Sequence, residues 1–312
     1  MRTLITGGSG FIGTALINLL TRLGFEQPVI FDIAAPRRAV QERTCIQGDL
    51  GNLRHVLDAV KRARPEIIFH LGAMLSTPSE ADPEGALRTN ALGTFHVLEA
   101  ARLFDVRQVI FSSSIGTYGR DIESDFIDDN TLQRPELFYG ATKLFGEHIG
   151  LFYRRKYGLD FRGVRLQSIV GPGVRTKGVD HYTSWVIEEC SQGNPFTIWV
   201  EPRTKMPVIY YKDAANALLR LAKAPFEDIQ TVNYILAGVT PVATAQELAD
   251  IVRARIPGAQ IDFQPDAELQ LILDKFLLPV DESNAIREWG WGCEYDQERI
   301  VDDFLAQLRQ GD

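Results

Sequence analysis

The sequence contains few cysteines and no long apolar run. Its 312 residues include three cysteines, Cys45, Cys190 and Cys293, which stand far apart. This scarcity excludes a zinc cluster or a disulfide framework and is typical of a reducing compartment, so we expect a cytoplasmic protein without a metal site. No stretch reaches the ~18 consecutive apolar residues of a membrane helix. The first ten residues pass from an apolar segment into glycines, which predicts no signal peptide.

Positively charged residues are also fewer than negatively charged ones. The formal net charge is -8 at pH 7, so the protein's electrostatic field repels phosphate backbones and a nucleic-acid partner is excluded. Hydrophobic residues make up 45% of the chain and charged residues 24%, which are the proportions of an ordinary globular protein. We expect the partner to be a small molecule.

Short apolar segments alternate with amphipathic stretches along the first half of the chain. This alternation predicts βαβ units and an α/β fold, a Rossmann-type doubly wound parallel sheet. Shorter elements after Val170 predict a smaller, interleaved C-terminal α/β lobe. We predict a nucleotide-binding core over residues 1–167, to which residues 205–228 return, and a substrate-binding lobe formed by 168–204 and 229–312.

Three glycines, Gly7, Gly10 and Gly13, follow the first predicted strand and open the first predicted helix. Glycines at this junction let the backbone turn tightly and approach a pyrophosphate, which the free amides of the helix start then bind. The alternative is a tight turn that holds no ligand. The position at the first strand–helix junction favours a dinucleotide cofactor.

Two carboxylates extend this interpretation to the rest of the cofactor. Asp32 ends the second predicted strand, where a carboxylate accepts both ribose hydroxyls of NAD and repels the 2′-phosphate of NADP. Arg37 and Arg38 lie close by and could hold that phosphate, but we interpret them as surface charge and predict NAD. Asp49 is predicted to meet the adenine amino group, with a turn-forming role as the alternative.

A tyrosine, a lysine and a run of serines form a candidate catalytic set. Tyr139 and Lys143 stand one helical turn apart on one face. A lysine ammonium there is expected to lower the pKa of the phenol below its ordinary value of about 10, so that the phenol can accept a proton from an alcohol. The run from Ser112 to Ser114 ends a predicted parallel strand, where ligands bind in such sheets.

Together, the glycine loop, the serines, Tyr139 and Lys143 resemble the extended short-chain dehydrogenases/reductases, which include sugar-nucleotide epimerases and dehydratases. The resemblance covers nearly the whole chain. It implies that Ser114, Tyr139 and Lys143 are the catalytic residues. It further implies that the cofactor is contacted by Gly7, Gly10, Phe11, Ile12, Gly13, Asp32, Asp49, Leu50, Leu71, Gly72, Ala73, Asn90, Ser112, Tyr139, Lys143 and Ile169.

The last third of the chain distinguishes between members of that family. Ser168 and Met206 stand where sugar-nucleotide epimerases carry the Asn and Arg that hold uridine diphosphate, and the missing Arg removes a strong diphosphate contact. The segment from Thr204 to Tyr210 instead resembles the epimerase-like L-threonine 3-dehydrogenases. On this resemblance the substrate is contacted by Ser76, Thr77, Ser114, Tyr139, Arg175 and Tyr182.

The chain departs from those dehydrogenases at two places. The loop from Gly173 to Tyr182 lacks their paired threonines, and Phe276 replaces a tryptophan. Arg175 or Lys177 could bind a substrate carboxylate, or either could be plain surface charge. His181 is expected to be packed or solvated, with a role as base as the alternative, and Trp289 and Trp291 are expected to pack in a core.

The resemblance implies NAD-dependent oxidation of the secondary alcohol of a small polar acid, with L-threonine and its product 2-amino-3-oxobutanoate as the leading hypothesis. The alternative enzyme is an NAD-dependent epimerase or reductase that acts on a sugar, a sugar acid or a nucleotide sugar. A non-catalytic dinucleotide sensor on the same fold is a third hypothesis, because a fold does not determine its function. The resemblance also implies a homodimer through the predicted helices Leu87–Phe104 and Tyr139–Tyr157.

Overall fold

The computed structural model describes residues 1–34, 45–174, 180–276 and 278–311. Its centre is a parallel sheet of seven strands in the order β10-β6-β5-β4-β1-β2-β3. These strands are β1 (Thr3–Thr6), β2 (Val29–Asp32), β3 (Cys45–Gln47), β4 (Ile67–His70), β5 (Gln108–Ser114), β6 (Asp160–Leu166) and β10 (Asn233–Ile235). Every pairing between them is parallel. The predicted α/β class and doubly wound sheet are therefore confirmed.

Helices cover both faces of this sheet, as the fully buried strands β1, β4 and β6 require. In the first half of the chain they are α1 (Phe11–Arg22), α2 (Leu53–Ala63), α3 (Ser76–Ala81), α4 (Pro83–Ala86), α5 (Gly93–Leu103) and α6 (Phe138–Tyr157). The predicted helix over Leu87–Phe104 is divided, because residues Leu87–Leu92 form a π-helical turn before α5 begins. The helix α8 (Tyr211–Lys223) returns to pack beside α1, and both contribute to one apolar core.

A second core lies among elements from the later part of the chain. It is formed around α7 (Tyr182–Ser191), α9 (Ala245–Arg255), α10 (Ala267–Phe276), α12 (Gln297–Gly311) and the strands β8 (Phe196–Ile198), β9 (Val208–Tyr210) and β11 (Ile261–Phe263). Strand β11 pairs with β8, and β9 pairs with β7 (Ser168–Val170). No helix within the described ranges is long and apolar enough to cross a membrane.

The structure differs from the predicted division of the chain in one segment. Strand β10 falls within residues 229–312, which we assigned to the lobe, but it pairs with β6 at the edge of the large sheet. The helix α11 (Ser283–Trp289) follows it, and Trp289 and Trp291 are buried in the first core, as predicted for packing residues. Short apolar strands carry no sign of which sheet they join, so sequence alone misplaced this one. The other domain boundaries stay predictions.

Candidate active site

A cleft of about 720 Å³ opens along the carboxyl ends of the parallel strands. Most of the predicted cofactor and substrate residues line it: Gly7, Gly10, Phe11, Ile12, Gly13, Asp32, Asp49, Leu50, Leu71, Gly72, Ala73, Ser76, Ser114, Tyr139 and Ile169. Five other predicted residues lie outside its lining: Thr77, Asn90, Ser112, Lys143 and Tyr182. Arg175 and Lys177, like Arg37 and Arg38, lie outside the described residues.

The glycine loop leaves the backbone open to a ligand. Gly7 has a φ of +69°, and a Cβ there would lie 2.6 Å from the Cα of Gly72. A Cβ at Gly13 would collide with the carbonyl oxygen of Gly7, so the third glycine allows helix α1 and strand β1 to pack closely. Gly10 precedes α1, and no side chain caps that helix. The first amides of α1 are thus arranged for an anion, which fits the pyrophosphate of a dinucleotide.

Asp32 and Asp49 lie at the ends of adjacent strands on one side of the cleft. The Asp32 carboxylate accepts hydrogen bonds from the backbone N–H of Ser9 (2.9 Å) and Ala34 (3.0 Å), which fix its orientation. Asp49 accepts from the Gly51 N–H at 2.8 Å and lies 3.4 Å from Arg88, so it also forms the turn that we gave as its alternative role. Both positions fit a ribose and adenine site.

Ser114 and Tyr139 meet at the other end of the cleft. Ser114 ends strand β5, and its Oγ accepts the Gly116 N–H at 3.1 Å. Burial raises the pKa of the Tyr139 phenol to about 12, and the hydrogen bond from Ser114 partly offsets this rise. Tyr139 lies in the first turn of α6, whose N-terminus is capped by Glu80. That carboxylate accepts from the N–H groups of Phe138 (2.7 Å) and Tyr139 (3.4 Å).

Lys143 is buried behind the tyrosine. Its Nζ donates to the Ser112 carbonyl at 2.7 Å and lies 5.7 Å from the centroid of the Tyr139 ring. Burial lowers the pKa of Lys143 to about 8, and the Glu147 carboxylate opposes this shift. The predicted lowering of the Tyr139 pKa by Lys143 is not what the structure shows, because burial of the phenol dominates. Ser112 contributes its carbonyl to this contact and lies outside the cleft lining.

Three other predicted residues do not line the cleft. The Asn90 amide accepts the Met74 N–H (2.8 Å) and donates to the Met74 carbonyl (3.0 Å) and to Thr142 (3.1 Å), so Asn90 supports the cleft wall from behind. Thr77 is exposed on α3. Tyr182 is only 1% exposed and packs in the second core, because its ring lies on the inner face of α7, so the structure does not support its predicted substrate contact.

The sequence analysis assigned no binding role to several residues of the lining. Ser168 begins β7, and Asp180 and His181 immediately precede α7. Ser9, Gly173 and Val174 also line the cleft. The register of the sheet could have indicated Ser168, because it follows Leu166, the partner of Ser114 in the neighbouring strand. No local pattern indicates the other residues.

Comparison with known proteins places this site in a family. Residues 3–237 match the model of the NAD dependent epimerase/dehydratase family. The mitochondrial L-threonine 3-dehydrogenase of Sus scrofa is 31% identical over 309 residues, which cover 97% of this chain and 82% of that protein. The Bos taurus enzyme of the same name is 30% identical, with the same coverage.

Solved structures agree with this result. An L-threonine dehydrogenase from Cupriavidus necator superposes with a TM-score of 0.89 at 28% identity, covering 99% of this chain and 100% of the other. A UDP-glucose 4-epimerase from Thermotoga maritima has a TM-score of 0.86 at 21% identity, covering 100% and 99%, which shows a shared fold alone. The predicted resemblance is confirmed, and the cofactor is NAD. The chain belongs to the NAD dependent epimerase/dehydratase family.

Proposed function

We propose that the protein oxidises the secondary alcohol of a small polar acid, and that this substrate is L-threonine, converted to 2-amino-3-oxobutanoate. The observation that carries the proposal is that Ser114 and Tyr139 line the same cleft as the glycine loop that fits NAD. The names of the Sus scrofa and Bos taurus relatives support the choice of substrate.

In this proposal Tyr139 is the general base and Ser114 orients the alcohol. The Ser114 hydroxyl and the Tyr139 phenol both face the cleft, so a substrate hydroxyl placed between them can accept one hydrogen bond and donate the other. The proton then passes from the substrate oxygen to the phenolate oxygen of Tyr139. When bound, NAD⁺ supplies the hydride acceptor and a positively charged ring.

Lys143 keeps positive charge near the base during this step. With a pKa of about 8, its ammonium is largely protonated at pH 7. Its hydrogen bond to the Ser112 carbonyl holds it in place beside strand β5. A cation held at this distance stabilises the phenolate more than the phenol, so it increases the fraction of Tyr139 that is ionised and able to accept the proton.

Measurement of NADH formation tests the proposal. The purified protein is assayed with free NAD and L-threonine, L-serine, 3-hydroxy acids or uronic acids, and the product is identified by mass spectrometry. NADH formed in step with 2-amino-3-oxobutanoate supports the proposal. Turnover of a sugar without net NADH would instead assign an epimerase, and turnover of any substrate would exclude a dinucleotide sensor.

We further propose a cytoplasmic homodimer. Exposed apolar side chains follow one another along the π-helical turn, α5 and α6: Leu92, Leu103, Phe145 and Phe152, each 39–49% exposed. A second copy that covers this face would bury apolar area at about 25 cal/mol per Å². Sedimentation of the parent and of Phe145→Glu tests the proposal, since a dimer should dissociate in the variant and a monomer should be unaffected.

A further inference from the structure

Three polar residues form a cluster at the catalytic end of the cleft: Ser168, Asp180 and His181. The Ser168 hydroxyl donates to Oδ2 of Asp180. The second carboxylate oxygen, Oδ1, lies 3.4 Å from Nδ1 of His181. That nitrogen is buried and has no hydrogen-bond partner, so the contact is one of proximity and not a hydrogen bond. All three residues line the cleft.

The sheet register places this cluster beside the reacting groups. Leu166 of β6 is the partner of Ser114 of β5, and neighbouring strands lie about 4.8 Å apart. Ser168 stands two residues beyond Leu166 and begins β7, which pairs with β9 outside the large sheet. Ser168 therefore follows β6 at the same edge of the sheet as Ser114, and Ser114, Ser168 and Asp180 line one cleft.

Among the described residues that line the cleft, the charged side chains are carboxylates. Asp32, Asp49 and Asp180 line it, and no lysine or arginine does so among residues 1–34, 45–174 and 180–276. Asp32 ends β2, and Asp49 lies two residues beyond the end of β3, both on the cofactor side of the sheet. Asp180 is thus the carboxylate of the catalytic end, and it attracts a cation or a hydrogen-bond donor on the substrate.

Two acceptors in this cluster are available to such a donor. No donor among the described residues reaches Oδ1 of Asp180 with hydrogen-bond geometry. Nδ1 of His181 is an acceptor when the ring proton is on Nε2. A primary ammonium has three N–H donors and can bond to both atoms at once, whereas a hydroxyl has only one. The pair of acceptors therefore matches an ammonium better than a hydroxyl.

We propose that Asp180, supported by Ser168 and His181, binds the ammonium group next to the oxidised alcohol and makes the enzyme selective for amino alcohols of the amino-acid class. This inference rests on the proposed function, because it places the amino group of the same small substrate. Asp180 is then a residue that determines substrate specificity. It belongs to the loop from Gly173 to Tyr182, whose sequence differs from that of the threonine dehydrogenases.

The test uses a matched pair of ligands and the isosteric variant Asp180→Asn. L-2-Aminobutyrate carries the ammonium and carboxylate of threonine but no hydroxyl, and butyrate lacks the ammonium as well. Binding of each to the NAD-loaded protein is measured by calorimetry. We expect the parent to bind L-2-aminobutyrate more tightly than butyrate, and Asp180→Asn to lose roughly ten- to a hundredfold for L-2-aminobutyrate alone, as loss of a charge-assisted hydrogen bond predicts.

Asp262→Asn is the control, because it makes the same change of charge at an exposed position of β11 outside the cleft lining. We expect this variant to retain the preference for L-2-aminobutyrate, and all variants to retain the parent's NAD affinity and Tm. Equal binding of the two ligands by the parent, or equal loss for both in Asp180→Asn, overturns the assignment.

Kinetics separate this inference from the proposed function. The ratio of kcat/KM for L-threonine to that for 3-hydroxybutyrate should fall at least about tenfold in Asp180→Asn. If the parent does not oxidise L-threonine, the proposed substrate is wrong, while the calorimetric comparison still decides the role of Asp180.

Discussion

Burial and hydrogen bonding shift the pKa of the Tyr139 phenol in opposite directions. Burial raises its pKa to about 12, whereas the hydrogen bond from Ser114 lowers it. A base with such a pKa is almost fully protonated at neutral pH, so activity requires positive charge near the ring. Lys143 supplies part of that charge from 5.7 Å. The basicity of Tyr139 therefore depends on its burial and on the charge near its ring, and not only on its spacing from Lys143.

Removal of one oxygen tests the role of Tyr139. We predict that Tyr139→Phe lowers kcat by ~10²–10⁴-fold, the usual contribution of general base catalysis, and leaves the NAD affinity unchanged. Steady-state kinetics and a binding titration measure the two effects. Tyr157→Phe, at the exposed end of the same helix, is the control and should keep the parent rate. More than a tenth of the parent rate in Tyr139→Phe would mean that another group accepts the proton.

Asp32 is predicted to select the cofactor. Its carboxylate is oriented by the Ser9 and Ala34 amides, so its loss removes hydrogen bonds to the ribose and a repulsion toward a 2′-phosphate. We predict that Asp32→Ala lowers the ratio of kcat/KM for NAD to that for NADP by roughly tenfold or more. Asp58→Ala, on the exposed face of α2, is the control. An unchanged ratio in Asp32→Ala would remove the assignment of Asp32 to the ribose.

At the scale of the element, the catalytic helix α6 has no capping side chain of its own. Leu137 precedes its first residue and provides no cap, and the Glu80 carboxylate of α3 takes that place across the fold. A carboxylate at a helix N-terminus satisfies free N–H groups and interacts well with the helix dipole. Because α3 begins at Ser76 in the cleft wall, Glu80 links that wall to the turn that carries Tyr139.

We predict that Glu80→Gln lowers the free energy of unfolding by about 0.5–1 kcal/mol and lowers kcat several-fold, because the first turn of α6 loses a charged cap. Denaturant titration and steady-state kinetics measure the two quantities. Glu84→Gln, on the exposed face of α4, is the control and should change neither. A kcat for Glu80→Gln equal to that of the parent would show that this cap does not position Tyr139.

The sequence predicted the catalytic helix well but missed how the preceding long helix begins. The helix over Tyr139–Tyr157 repeats its apolar residues over five turns, and its bounds are confirmed within one residue. The π-helical turn at Leu87–Leu92 was missed, because it depends on Asn90 reaching Met74 and Thr142, which are distant in sequence. The glycine loop is a local motif, whereas Ser168 and Asp180 stand 12 positions apart and no local pattern links them, so their contact could not be predicted.

At the scale of the whole molecule, hydrogen bonds of Glu288 connect the C-terminal part of the chain to the large parallel sheet. Glu288 of α11 is only 8% exposed, and its carboxylate accepts from the Gln230 and Thr231 amides, both at 2.9 Å, and from the Tyr234 hydroxyl at 2.5 Å. Tyr234 belongs to β10, the edge strand of the large sheet. A buried carboxylate thus joins α11 to the edge strand of that sheet.

The pH dependence of stability tests this connection. Burial tends to raise the pKa of Glu288, but its hydrogen bonds from Tyr234 and Thr231 outweigh burial and lower the pKa. A carboxylate with a lowered folded pKa stabilises the protein above its unfolded pKa of about 4.3, and this contribution is lost as the pH falls through the folded value. We predict that Glu288→Gln lowers the free energy of unfolding by about 1–3 kcal/mol at pH 7, and that the difference from the parent shrinks below about pH 4.3.

Urea titrations at a series of pH values measure that difference. Glu298→Gln is the control, because Glu298 forms an exposed ion pair with Arg255 and should change stability by less than ~1 kcal/mol at any pH. The parent and Glu288→Gln should each unfold in one transition, since Trp289 and Trp291 pack against the core sheet and report on the same event. A difference that stays constant from pH 7 to pH 3 would show that the charge of Glu288 does not stabilise the fold. An early separate transition in Glu288→Gln would show that α11 docks independently of the sheet.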